Sequence, residues 1–237
     1  MGHKKLIRFE AIKNFPNVLQ YPEGIAGRWA AHFGNDHPLT LELACGKGEY
    51  TLGLARRYPE RNFLGVDLKG NRIWAGARKA LDEGLTNAGF LRILIEGING
   101  FFAPGEVEEI WITFPDPQLR TGKAKKRLTH PRFLRRYQGL LKPGGKIHLK
   151  TDSPNLYQFT MKVCRMYGCT VLEHSDNVYA QAEVKPDLQI RTYYESLDIA
   201  GAARVHYVCF TLPDTLPGTE LDAQLQEELK HDEQPLS

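Results

Sequence analysis

The strongest constraint on this chain is a recurring order: a short apolar run, a polar residue at its end, then a helical stretch. Residues 39–44, 62–67, 90–95, 109–114 and 146–150 are apolar runs of strand length. Helical spacing follows at 49–57, through residue 81, at 133–141 and at 156–167. Strands that alternate with helices need crossover connections, so the expected fold is α/β, a mostly parallel sheet with helices on both faces. Two further runs, 170–174 and 205–212, are joined by a polar segment with no long helix. That pair predicts an antiparallel hairpin at the sheet edge and brings the expected total to seven strands. Residues 1–37 mix short apolar groups with proline and glycine turns and read as an N-terminal arm with a short helix. Residues 38–213 are then the sheet domain. Residues 214–237 are an acidic tail, expected to be flexible or a loosely docked helix.

Composition removes several alternatives. The chain has 237 residues, 42% hydrophobic and 25% charged, which excludes a largely disordered chain, a collagen and a coiled coil. No run of eighteen uncharged apolar residues exists, so no membrane span is expected. Charge returns at Arg8 and Glu10 before any apolar region of leader length, and the expected location is the cytoplasm. The four cysteines form no CxxC pair and the eight histidines are scattered. Neither a metal site nor a disulfide framework is expected. The net charge of +3 hides an asymmetry. Residues 117–151 hold eleven Lys or Arg and no acid, and residues 213–237 hold seven acids and one Lys. Such asymmetry points to a polyanionic partner.

The run 41–48, Leu-Glu-Leu-Ala-Cys-Gly-Lys-Gly, is a strand entering a glycine turn and then a helix. Gly46 and Gly48 allow close approach of a ligand to the backbone. A third glycine would complete a dinucleotide fingerprint, but Thr51 stands there. The turn therefore favours an adenosine-type ligand over a pyrophosphate. Glu42 suits a cationic ligand, such as the sulfonium and ammonium groups of S-adenosylmethionine. Asp67, nineteen residues beyond Gly48, can accept from ribose hydroxyls. Taken alone, the turn is equally compatible with a tight structural turn bearing an exposed Glu. The series Glu42, Asp67, Asn99, Asp116 places four polar side chains at consecutive strand ends facing one crevice. Two prolines stiffen the backbone around Asp116. The acid-free basic run that follows Asp116 is read as a phosphate-contacting surface, and Gly122 within it predicts a loop that is mobile until the polyanionic partner binds.

These residues together are similar to a known family. The turn at 42–48 and Asp67 resemble motifs of class I S-adenosylmethionine-dependent methyltransferases. Phe114-Pro115-Asp116-Pro117 with its basic stretch, Lys150-Thr151-Asp152 and Thr192-Tyr193-Tyr194-Glu195 narrow the resemblance to bacterial tRNA (guanine-N7)-methyltransferases. Arg8-Phe9 and Phe15-Pro16-Asn17-Val18 also resemble that family's N-terminal arm. The resemblance implies a Rossmann-like fold, S-adenosylmethionine as cofactor and methyl transfer to N7 of a variable-loop guanine of tRNA. It implies no metal and no obligate protein partner for a monomer or homodimer. It assigns Glu42, Gly46, Gly48, Asp67, Asn99 and Asp116 to the cofactor, with Asp116 also the catalytic residue. It assigns Arg120, Asp152, Thr192, Tyr193, Tyr194 and Glu195 to the substrate. Lys123, Lys125, Lys126 and Arg127 are expected on RNA. Departures from the family pattern are Ala44 for the first glycine, Gln118 for Trp, and Leu119, Gly122 and Ala124 for His, Arg and Asn. Two rival readings remain open at this stage: a methyltransferase for a small molecule, a protein or another RNA, and a non-catalytic RNA-binding module.

Overall fold

The computed structural model describes residues 3–196 and 204–232. Eight strands form one sheet: β1 (Val18–Gln20), β2 (Leu39–Leu43), β3 (Asn62–Asp67), β4 (Ala88–Arg92), β5 (Val107–Thr113), β6 (Leu141–Thr151), β7 (Thr170–Ser175) and β8 (His206–Thr211). Their order is β1-β4-β3-β2-β5-β6-β8-β7. The pairs from β1 through β6 are parallel, and β8 is antiparallel to both β6 and β7. The C-terminal hairpin expected from the sequence is present, with β8 inserted between β6 and β7. The eighth strand, β1, lies inside the expected arm; at three residues it is too short to show a period. Lys142-Pro143-Gly144-Gly145 has the composition of a turn, and it is absorbed into β6 as a register shift opposite Glu108.

The helices are α1 (His3–Ala11), α2 (Trp29–Phe33), α3 (Glu49–Arg57), α4 (Gly70–Asp82), α5 (Pro131–Gln138), α6 (Pro154–Met166), α7 (Tyr193–Ser196) and α8 (Glu220–Asp232). Strand periodicity divides the core into two layers. Leu41, Leu43, Ile110, Ile112, Ile147 and Leu149 point to one layer, which α2, α5, α6 and α8 cover. Trp111, Tyr207 and Cys209 point to the other, which is completed by α3, α4 and the 178–190 connection. Between these apolar positions, Glu42, His148 and Lys150 take the register positions that face α3. Gly48 makes the β2–α3 turn possible twice over. Its φ of 72° is left-handed, and a Cβ there would strike the Phe90 ring.

The acidic tail is neither flexible nor loosely docked through residue 232. Leu225 of α8 is 1% exposed and belongs to the main core. Arg135 donates to both oxygens of Asp222, at 2.7 and 3.0 Å, and the Tyr167 hydroxyl donates to the same carboxylate at 2.6 Å. The sequence hid this because three leucines at helical spacing, Leu221, Leu225 and Leu229, are diluted by seven acids. Burial of Leu225 makes α8 part of the cooperative unit. Leu225→Ala is expected to cost about 2–5 kcal/mol in urea denaturation, as a core truncation does, whereas a solubilising tail would show no effect.

Candidate active site

The carboxyl ends of β2, β3, β5 and β6 open on one crevice, and each end contributes differently. At the end of β2 the chain turns through Ala44, Gly46 and Gly48, all at positive φ. Glu42 is 3% exposed and fully engaged. Its Oε2 accepts from the Thr51 amide at 2.8 Å and the Thr51 hydroxyl at 2.6 Å, and its Oε1 accepts from the Thr113 hydroxyl at 3.1 Å. Glu42 thus fastens the first turn of α3 to the ends of β2 and β5. Burial raises its pKa to about 7, against the opposing pull of the Thr51 and Thr113 hydrogen bonds.

Asp67 closes the other side of the turn. Its Oδ2 accepts from the Gly46 amide at 2.9 Å and its Oδ1 from the Lys69 amide at 2.8 Å. Each oxygen keeps a further lone pair, so ribose hydroxyls still have acceptors there. Leu68 and Leu94, just beyond the ends of β3 and β4, are 41% and 50% exposed. Exposed leucines beside a ribose-competent carboxylate suit the faces of an adenine ring, so the residues present fit an adenosyl cofactor. The sequence reading missed both, because a leucine in an apolar run looks like core. Asn99 lies elsewhere. Its amide donates to the Arg136 carbonyl of α5 at 2.9 Å, which ties the 95–100 turn to that helix rather than to the crevice. Of the four-member polar series, Glu42 bonds to its own scaffold and Asn99 to α5.

At the end of β5, Phe114 and Gln118 have φ values of 46° and 49°. Non-glycine residues in this region are costly and cluster where a structure holds a group in place. Between them, Asp116 is exposed and its Oδ1 accepts from the Gln118 amide at 3.0 Å. Arg127 fixes the far side of this bend. It is 3% exposed, and its guanidinium donates to the carbonyls of Pro117, Gln118 and Leu119 at 3.1–3.3 Å while lying over the Phe159 ring. Arg127, expected on RNA, thus directs its planar, five-donor head to backbone oxygens inside the protein. Residues 121–126, expected as a loop, form a 3₁₀ turn with Ala124 wholly buried. Arg120, Lys123, Lys125 and Lys126 remain exposed on it.

At the end of β6, Lys150 is 0% exposed. Its ammonium donates to the Leu188 and Ile190 carbonyls at 2.8 and 3.0 Å and pairs with Glu195 at 3.0 Å. Burial lowers the Lys150 pKa, although Glu195 opposes the shift. Glu195 also accepts from the Tyr179 hydroxyl and from the Thr192 amide, while Thr192 Oγ1 accepts from the Glu195 amide at 3.1 Å. Thr192 and Glu195 are therefore a reciprocal cap on α7. The Glu195 carboxylate, expected to hold a guanine, thus accepts here from Lys150, Tyr179 and the Thr192 amide. Tyr193 is exposed, with the Lys47 ammonium 3.3 Å from its ring centre. The Tyr194 side chain lies outside the described residues. Asp152 is half-buried and makes no hydrogen bond or ion pair among the described residues. Asp116 and Asp152 thus follow the ends of neighbouring strands, in register at Thr113 and Lys150.

The state of Glu42 is testable through stability. Its folded pKa lies above the ordinary carboxylate value, so the folded protein holds this proton more tightly than the unfolded chain does. That stabilisation is complete below pH 4.5 and is lost as pH rises to about 7. Glu42→Gln lacks the titration. The stability difference between wild type and variant is expected to move by about 3 kcal/mol across that window, measured by urea denaturation at each pH. A pH-independent difference overturns the assignment.

Residues 36–202 match a family model described as "Putative methyltransferase". A tRNA (guanine-N(7)-)-methyltransferase of Porphyromonas gingivalis is 48% identical over 213 residues, 85% of this chain and 86% of that protein. One from Christiangramia forsetii is 44% identical over 226 residues, 90% of this chain and all of that protein. Among solved structures, the 16S rRNA methyltransferase KamB superposes with a TM-score of 0.58 at 14% identity, over 77% of this chain and 94% of that one. A SAM-dependent methyltransferase from Aquifex aeolicus gives 0.53 at 14% identity, over 79% of this chain and 89% of that one. At such identities these structures speak for the class I methyltransferase fold alone. The level and extent of the sequence matches go further, and the chain belongs to the tRNA (guanine-N7)-methyltransferase family.

Proposed function

We propose that the protein transfers a methyl group from S-adenosylmethionine to N7 of a guanine in tRNA, the variable-loop guanine in keeping with its family. The observation that carries this reading is the position of Asp116. It stands on a stiffened bend between the Asp67 edge of the cofactor turn and the exposed cations of the 121–126 turn. When bound, S-adenosylmethionine supplies a methyl group already activated for displacement.

Guanine N7 carries an in-plane lone pair and no proton at neutral pH, so no general base is required. The chain's own tasks are alignment and charge. Gly46, Gly48 and Asp67 hold the adenosine end, with Leu68 and Leu94 along the ring. Positive charge arrives on the guanine imidazole as the bond forms, and the fixed carboxylates of Asp116 and Asp152 lower the energy of that charge. Asp152 is the carboxylate left to accept from the N1–H and N2–H₂ donors of guanine, because Glu195 is occupied. Adenine presents an acceptor at N1 and would leave the carboxylate facing a lone pair, a mismatch of about 1–3 kcal/mol. Lys123, Lys125 and Lys126, with Arg120, meet phosphates. Arg127 acts at one remove, as a positioning residue that keeps Asp116 in place. The target base leaves its stack to reach the crevice.

Product analysis tests the reading. Incubation with S-adenosylmethionine and unmodified tRNA transcripts, followed by digestion to nucleosides, is expected to yield N7-methylguanosine. Asp116→Ala is expected to lower kcat at least about a hundredfold. Methylation at another atom or of no RNA, with cofactor binding intact, overturns it. The two kinds of cation separate by kinetics. Arg127→Met is expected to lower kcat with little change in tRNA affinity. Gln at Lys123, Lys125 and Lys126 together is expected to raise KM for tRNA and flatten its salt dependence by about one unit per lost phosphate contact.

A further inference from the structure

A second cationic surface borders the crevice, and neither the motifs nor the basic run of residues 117–151 pointed to it. An open groove of about 720 Å³ runs between α3, α4 and residues 190–191. Lys47, Arg56, Arg57, Lys79 and Arg191 line it, with Glu49 as the acid among them. All five cations are exposed. Arg56 pairs with Glu83 at 2.7 Å and Arg57 with Asp187 at 3.5 Å. Exposed pairs of this kind are weak, and a phosphate competes for the guanidinium at little cost. Lys47 and Arg191 rest on the rings of Tyr193 and Tyr179, which leaves their charge toward solvent.

The position of the groove matters more than its charge. Lys47 belongs to the cofactor turn itself, and Arg191 immediately precedes Thr192. The two walls are locked together at Gly53, where a Cβ would fall 2.9 Å from Ile190, so residues 190–191 lie directly on α3. Ile190 packs in the apolar layer of the α3 face, whereas Ala124 of the 121–126 turn packs in the opposite layer. The groove and the basic turn therefore flank the crevice from opposite faces of the sheet. A base drawn into the crevice stays joined to backbone on both its 5′ and 3′ sides. A single cationic surface meets only one of those flanks.

We propose that the α3–α4 groove is a second phosphate-binding surface, which grips the substrate tRNA backbone on the far side of the target guanine from Lys123, Lys125 and Lys126. This inference rests on the tRNA-methylation reading above. Contacts of this kind fix register without reading sequence.

The test replaces Arg56, Arg57 and Lys79 together by Gln and measures binding of an unmodified tRNA transcript over a series of salt concentrations. Kd at low salt is expected to rise roughly tenfold, and the slope of log K against log salt to fall by about 2–3. Affinity for S-adenosylmethionine, by calorimetry, is expected to stay unchanged. Lys79→Glu alone is expected to lower the slope by about one, and it stands in should the triple variant fold poorly. An unchanged slope in both variants, with loss of affinity on neutralising Lys123, Lys125 and Lys126, overturns the groove while leaving tRNA methylation standing. A wild-type protein without salt-dependent tRNA binding overturns both.

Discussion

The carboxyl end of the sheet depends on one buried ammonium. Lys150 sits at a core position of β6 and is wholly shielded from water. Its three donors are satisfied by two peptide carbonyls and a carboxylate, all from the connection between β7 and β8. Removing one partner of such a buried pair typically costs 3–5 kcal/mol, because the other charge is left without compensation. The connection itself has only short 3₁₀ turns before α7 and little regular backbone pairing of its own. What holds it is Lys150, together with Val178 and Leu188 in the apolar layer. The charge thus converts an irregular segment into a rigid wall of the crevice, and the cost of burying it is offset where the wall is needed.

The same division between buried and exposed cations organises the other wall. Sequence composition presents eleven basic residues as a single run. The fold sorts them. Lys150 and Arg127 turn inward and bond to backbone oxygens, and Arg135 is taken by Asp222. The lysines of the 121–126 turn stay in water. An Arg suits the inward role at 127 because its planar fork reaches three successive carbonyls at once. Lys, a strongly hydrated point charge on a flexible stem, suits the outward one.

How much of this was legible follows from what each signal measures. Apolar runs of strand length and glycine turns revealed the sheet, the crevice and Asp67, because they report local backbone geometry. The proline-flanked Asp116 was visible for the same reason. Burial of charge was not visible. Lys150, Arg127, Glu42 and Glu195 look on paper like solvated or ligand-facing groups, and tertiary packing supplies most of their partners, at separations of 8 to 71 residues. The Asn99 contact with α5 was hidden in the same way: a loop position after a strand says where a residue begins, not which helix its amide will meet. Leu68 and Leu94 were concealed by the opposite error, since apolar residues near strands default to the core. The α8 leucines were masked by their acidic neighbours, and β1 by its brevity.

The insertion of β8 between β6 and β7 has a bearing on synthesis. Once β6 is made, every parallel pair of the sheet can form, but the outer edge of β6 pairs with residues 206–211. While the ribosome is still adding residues 152–205, that edge is open, and β7 is complete with no strand to pair with. A nascent chain at this stage can place β7 against β6 through the α6 crossover, the usual parallel arrangement, and the last strand must then displace it. Unpaired edges and long-range pairing both slow folding and invite association between chains. Lys150 adds to the exposure, since its ammonium has no partners until the connection closes over it. The final thirty or so residues of the described chain are therefore the step on which both the edge and the crevice wait.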